Sequence, residues 1–165
     1  MNNVTAPGIR FSLLFEAEGY NESGYRTDIT VHRRAKQDES FFLPCDEGKV
    51  VGGEGTAPWP LCYFASGLAG CLATHLRSFS KQLDIVLTEF SLSVRCTWEA
   101  RQVSGLPYQA TPISFVVDIA LGGGASDADK KRLIQAASQG CFVEQSLKPG
   151  IVSHRLKAGD SWVDV

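Results

Sequence analysis

The sequence predicts an α+β fold in which strands come both before and after one long, enclosed helix. Two observations carry most of this expectation. From Phe90 to Ala100, the apolar residues Phe90, Leu92, Val94, Cys96, Trp98 and Ala100 alternate with polar ones. That is the period of a strand with one buried and one wet face. From Pro60 to Gln82, apolar residues (Leu61, Tyr63, Phe64, Leu68, Leu72, Leu76, Phe79) fall on nearly every side of a helical projection. That is the mark of a helix covered all round.

Taken in order, residues of about 9–50 read as a strand lobe. The segments IRFSLLFEAE, YRTDITVHRR and SFFLPC are separated by the turn-like GYNESG and AKQDE. A glycine-rich loop, DEGKVVGGEGTAPWP, leads into the helix of about 60–82. Within that helix Ala65, Ala69 and Ala73 form a small-residue row beside Gly67 and Gly70, which would admit another element at close range. A strand–helix lobe of about 86–165 follows. The strand from Phe90 should pair with Ile113–Leu121, where Ile113, Phe115, Val117, Ile119 and Leu121 share a face, through the turn RQVSGLPYQAT. Ser126 is placed to cap a helix, Asp127 and Asp129 suit its positive end, and Gly140 is a natural stop. CFVEQSL reads as a second, short helix closed by Pro149-Gly150, and IVSHRLK as the closing strand. There is no repeat and no long linker, so residues 1–165 read as a single domain.

Composition excludes several classes of function. The formal net charge is −2 and the basic residues are scattered apart from Arg33-Arg34, so no cationic surface for nucleic acid is expected. Gly55 to Leu76 carries no formal charge, but Pro58 and Pro60 confine the helix to Leu61 onward, and His75 and Arg77 follow too soon for a membrane span. The segment MNNVTAPGIRF lacks the basic and apolar regions of a signal peptide, so the cytoplasm is the expected compartment. The five cysteines include no CxxC pair, which argues against zinc ribbons and thioredoxin-type sites. In a reducing compartment a disulfide would be transient and catalytic.

Cys96 lies on the apolar side of its strand, and Cys45 sits beside Asp46 and Glu47, which disfavour a thiolate. Cys62 and Cys71 are nine residues apart on one helix, on opposite sides. Cys71 and Cys141 remain. They are seventy residues apart and each follows a glycine, in GLAGCLATHL and AASQGCFVEQSL. Cys71 is in mid-helix and would need a cation from another segment. Cys141 opens a helix, where backbone N–H groups favour a thiolate. From the residues alone, two readings stand: inert core packing, or a dithiol meeting in one pocket.

The loop DEGKVVGGEGTAPWP leading into a small-residue helix with GLAGC, then the alternating strand pair, a helix ending in GC, the short helix CFVEQSL and a terminal strand resemble the OsmC/Ohr family of thiol peroxidases. The resemblance runs from about Phe41 to the last strand. It implies the OsmC-like fold: antiparallel sheets around a long buried central helix, in an intertwined homodimer with two sites at the subunit interface. It implies Cys71 as the peroxidatic nucleophile, oxidised by an organic hydroperoxide to a sulfenic acid, and Cys141 as the thiol that resolves it to a disulfide. No bound cofactor is implied. The reductant would be an external dithiol, lipoyl-type or similar, and the role would be oxidative-stress defence.

Two positions depart from the family's pattern. Leu61 stands where a glutamate, ten residues before the first cysteine, orients an activating arginine, and Phe142 stands where a proline follows the second cysteine. For the arginine, Arg26 in SGYRTDITV is the first candidate, with Arg33 and Arg34 as alternatives, each of which also reads as a solvated strand or turn charge. Glu144, one turn after Cys141, is a candidate replacement for the glutamate or an exposed helix charge. His75, four residues after Cys71, is either a tuning group or a core histidine. The rival function is the same fold with an altered site, binding a small apolar ligand or acting as a redox sensor.

Overall fold

A computed structural model describes residues 11–105 and 107–165. Ile9 and Arg10 of the expected first strand, and Leu106 of the expected turn, lie outside the described residues. The chain divides into two compact units, one up to Cys62 and the other Tyr63–Val165.

In the first unit, β1 (Leu14–Tyr20), β2 (Asp28–Arg34) and β3 (Glu39–Phe42) form an antiparallel meander in that order. The turn between β1 and β2 is tied by the Asn21 side-chain amide, which donates to the carbonyls of Gly24 (3.2 Å) and Arg26 (2.6 Å). This is why β2 starts at Asp28, later than the sequence suggests. After β3 the chain pairs once more, at Thr27 and Cys45. It then turns through a short 3₁₀ segment, Lys49–Val51. The glycines of this loop are a backbone requirement: Gly52 adopts φ 99°, and a Cβ on Gly53 would lie 2.0 Å from the Glu47 carbonyl oxygen.

Helix α1 spans Pro60–Gln82, as its sequence indicates. The second unit holds most of it, together with a four-stranded sheet of order β4 (Phe90–Arg101), β5 (Gln109–Leu121), β6 (Val152–Ala158), β7 (Ser161–Asp164). Between β5 and β6 lie α2 (Asp127–Gly140) and the single turn α3 (Phe142–Gln145). Pairs β4–β5 and β6–β7 are antiparallel and β5–β6 is parallel, so this mainly antiparallel sheet is mixed at one pair. The α2–α3 crossover carries the chain back across the sheet, so β6 enters in the direction of β5. Strand β7 was not foreseen. It follows a tight turn at Gly159, whose φ is 60°.

The core joins Leu68, Leu72 and Leu76 of α1 to Val117 and Ile119 of β5, Leu133 and Ile134 of α2, and Leu156 of β6. Ile113 does not share the buried face of β5. A register shift opposite Thr97 and Trp98 leaves it unpaired, and it is exposed. The all-round cover expected for α1 is supplied by this chain along one stripe, Leu68, Leu72, Leu76 and Ser80, while Leu61 and Cys62 are exposed. Likewise, a Cβ on Gly67 or Gly70 would meet nothing within 4 Å. No helix among the described residues is long and apolar enough to cross a membrane.

Candidate active site

Cys71 lies beside the buried stripe of α1 and is partly buried. One turn on, the His75 Nδ1 donates to the Cys71 carbonyl oxygen at 2.8 Å and lies 3.8 Å from its Sγ. A carbonyl oxygen only accepts, so Nδ1 carries a hydrogen and faces the sulfur as a donor, not as a base. The ring is pinned edge-on by Phe79 and Phe142, at centroid separations of 5.1 and 6.0 Å.

Cys141 is brought to this place by the end of α2. That helix starts at Ser126, whose hydroxyl oxygen accepts from the Asp129 N–H. It ends at Gly140, where a Cβ would lie 2.5 Å from the Phe79 ring and 3.1 Å from the His75 ring. Glycine lets this corner close on α1 without displacing the Phe79 ring. Cys141 caps both helices there: its N–H donates to the Ser138 carbonyl (3.1 Å), and its Sγ accepts from the Glu144 N–H (3.4 Å).

Cys141 is fully buried, and burial is the main reason its thiol is pushed up to about 12. The Glu144 N–H pulls the other way without overcoming burial, and the neighbouring Cys71 thiol raises it further. The expectation that Cys141 is poised as a thiolate at a helix start is therefore overturned, because loss of water outweighs one backbone donor on a one-turn helix. Burial thus keeps the proton on Cys141, beside Cys71.

Glu144 is not an exposed helix charge. Its side chain is 10% accessible and that of His154, on β6, is 9%. Glu144 Oε2 accepts from His154 Nε2 at 3.2 Å and Oε1 accepts from the Ser138 hydroxyl at 2.6 Å. Burial works against its charge, but these two bonds outweigh it and hold the carboxyl below its usual range. The sequence reading passed over Ser138 and His154. The available signal was the position of His154, two residues before the buried Leu156 and on the same face of β6.

The candidate arginines are all in the first unit. Arg26 donates to Asp28 (3.0 Å) and to the Thr56 hydroxyl (3.0 Å). Thr56 is itself held by the buried Asp46, whose carboxylate accepts from the Thr56 N–H and hydroxyl, both at 2.9 Å. These bonds, the Thr56 N–H foremost, keep the Asp46 carboxyl below its usual range. Arg33 is paired with Glu39, and Arg34 with Glu16 and with Asp38 of the β2–β3 loop, all through partly exposed side chains. Cys45 is buried, Cys62 exposed, and burial pushes the Cys96 thiol up. Among the described residues no group of three or more His, Cys, Asp or Glu is placed to hold a metal ion.

The family model described as OsmC-like protein matches residues 53–154. The chain belongs to the OsmC-like family. An OsmC-like hydroperoxide resistance protein from Jannaschia sp. CCS1 is 33% identical, with 93% of this chain and 98% of that one aligned and a TM-score of 0.54. An organic hydroperoxide resistance protein from Legionella pneumophila is 17% identical over 90% and 97% of the two chains, with a TM-score of 0.60. One from Elizabethkingia anophelis is 15% identical over 90% and 96%, also at 0.60. These last two speak to the fold alone. No protein of curated function matches the chain. Within the OsmC-like fold, Cys71 and Cys141 occupy the central helix and the α2–α3 corner.

Proposed function

We propose that this OsmC-like protein is a thiol-dependent peroxidase that reduces organic hydroperoxides in oxidative-stress defence. The observation that carries the reading is the pair of free thiols packed into one core cluster, Cys71 on α1 and the buried Cys141 at the α2–α3 corner. The Cys71 thiolate attacks the terminal peroxide oxygen and the O–O bond breaks. The alkoxide leaves and takes a proton to become the alcohol, and Cys71 becomes a sulfenic acid. Cys141 sulfur then attacks Cys71 sulfur; the S–S bond forms and the S–O bond breaks. The hydroxyl leaves as water with the Cys141 proton. An external dithiol, lipoyl-type or similar, exchanges with the disulfide, restoring both thiols and becoming a disulfide itself.

Arg26 is our choice for the cation that favours the Cys71 thiolate. Its hydrogen bonds to Asp28 and Thr56 supply the orientation that the family assigns to a glutamate at the position of Leu61. Glu144 acts on the other thiol through its N–H and its buried carboxylate. The Phe79 and Phe142 rings make the surroundings of His75 apolar, which suits an organic peroxide. The working form is a cytoplasmic homodimer, without a bound cofactor, nucleic acid or membrane.

The test is hydroperoxide consumption with a dithiol reductant. Cys71→Ser should abolish it. Cys141→Ser should leave the first oxidation intact and stall at the sulfenic acid. Full activity in Cys71→Ser contradicts the assignment. Leu61 and Phe142 favour a second reading, an altered site that binds a small apolar ligand or senses redox state. Saturable binding of a hydroperoxide without its consumption by the native protein would support that reading.

A further inference from the structure

The buried Glu144–His154 pair is more than the peroxidase chemistry requires. A hydrogen-bonded polar pair taken out of water recovers little net stability, and an apolar pair of similar size would hold the same corner as well. What hydrogen bonds add is direction. Glu144 belongs to α3, a single turn of four residues that cannot hold its own geometry, and Cys141 is the cap at its start. The Glu144 carboxylate reaches backward to Ser138 on α2 and sideways to His154 on β6, so three elements meet on one side chain. The backbone N–H of the same residue lies on the Cys141 sulfur.

We infer that His154 is a positioning residue for the second thiol: through Glu144 it fixes the α2–α3 corner, so that Cys141 sulfur is aimed at Cys71 for disulfide closure, and it takes no part in the attack on peroxide. This inference rests on Cys141 as the resolving thiol. Closure forms a bond between two sulfurs and breaks one to oxygen along a single line, and small misplacements of a reacting atom are costly. The first step uses Cys71 on α1, whereas the hydrogen bonds of Ser138, Glu144 and His154 run among α2, α3 and β6 and to the Cys141 sulfur.

The experiment separates the two steps in single turnovers with tert-butyl hydroperoxide. Attack is followed by dimedone trapping of the Cys71 sulfenic acid, and closure by loss of the second free thiol. In His154→Leu, of similar bulk but without a donor, attack should stay within about twofold of native while closure slows by roughly tenfold or more, with dimedone adduct accumulating. In His154→Gln, whose amide can again donate to Glu144, closure should recover most of its rate. Ser138→Ala, which removes the other tie, should slow closure by a smaller factor and serves if His154→Leu does not fold. Closure at the native rate in folded His154→Leu or Ser138→Ala overturns the inference. So does an equal loss of both steps, or His154→Gln no better than His154→Leu. A native protein that forms no sulfenic acid would sink the peroxidase reading instead. The inference would then be read from closure driven by diamide, which takes the two thiol hydrogens and needs the same approach of the sulfurs.

Discussion

The two sheets of this chain are built from similar alternating strands, yet only one of them encloses a core. In the β4–β7 sheet, Phe115, Val117 and Ile119 are almost wholly buried against leucines of α1 and α2. In the β1–β3 sheet, Leu14, Phe15, Phe41 and Phe42 are all at least half exposed. The ties there are exposed ion pairs, Arg33–Glu39 and Arg34–Glu16 across strands and Arg34–Asp38 into the β2–β3 loop, of a kind that contributes about 0–1 kcal/mol each. The second unit carries its stability internally. The first presents apolar side chains in the number that marks an interaction surface. This contrast supports the proposed homodimer, with the apolar strands as the part a second copy would cover.

Substitutions can break this contrast, in decreasing order of effect. Leu72→Ala removes a fully buried side chain from the core and should cost about 2–5 kcal/mol in denaturant unfolding. Asp118→Asn follows. Asp118 is buried and binds Arg155 by two bonds (2.6 and 2.9 Å) and Arg95 by one (2.7 Å). Both arginines are partly exposed and can rehydrate, so the expected loss is about 1–3 kcal/mol at neutral pH. Ser126→Ala removes the cap of α2 and should cost about 1 kcal/mol. Phe15→Ala should change the stability of a monomer hardly at all. If it costs as much as Leu72→Ala and also shifts sedimentation from dimer to monomer, the exposed sheet is the covered face of a dimer. A native protein that sediments as a monomer at micromolar concentration would count against the homodimer.

The acid limb sharpens the same comparison. Hydrogen bonds from Arg155, then from Arg95, hold the Asp118 carboxyl below its usual range, against burial. In Glu144 burial is likewise overcome, by His154 and Ser138. A depressed carboxyl adds stability that is complete above its unfolded value, about 4, and is lost as pH falls through the folded one. Melting temperature should therefore fall below about pH 4, and less steeply in Asp118→Asn.

Local periodicity and capping were legible in the sequence. The alternation from Phe90, the boundaries of α1 and the cap at Ser126 follow from side-chain chemistry within a few residues. Features that depend on distant partners were not. The parallel β5–β6 pair is set by the crossover of α2 and α3, and the short β7 needs β6 as its template. The protonated state of Cys141 follows from burial, which a helix-start argument ignores. Glu144 stayed open between a replacement for the glutamate and an exposed charge because its partners, Ser138 and His154, come from separate elements. Family resemblance supplied the pairing of Cys71 with Cys141. It left Arg26 as a first choice, and the structure adds the Asp28, Thr56 and Asp46 contacts that hold it.

The most direct test of the central claim is non-reducing peptide mapping of the protein after treatment with one equivalent of an organic hydroperoxide. The account predicts one dominant linked pair, the Cys71 peptide joined to the Cys141 peptide, with Cys45, Cys62 and Cys96 still alkylatable. If Cys71 and Cys141 both remain free thiols, or if the linked pair involves another cysteine, the account is contradicted.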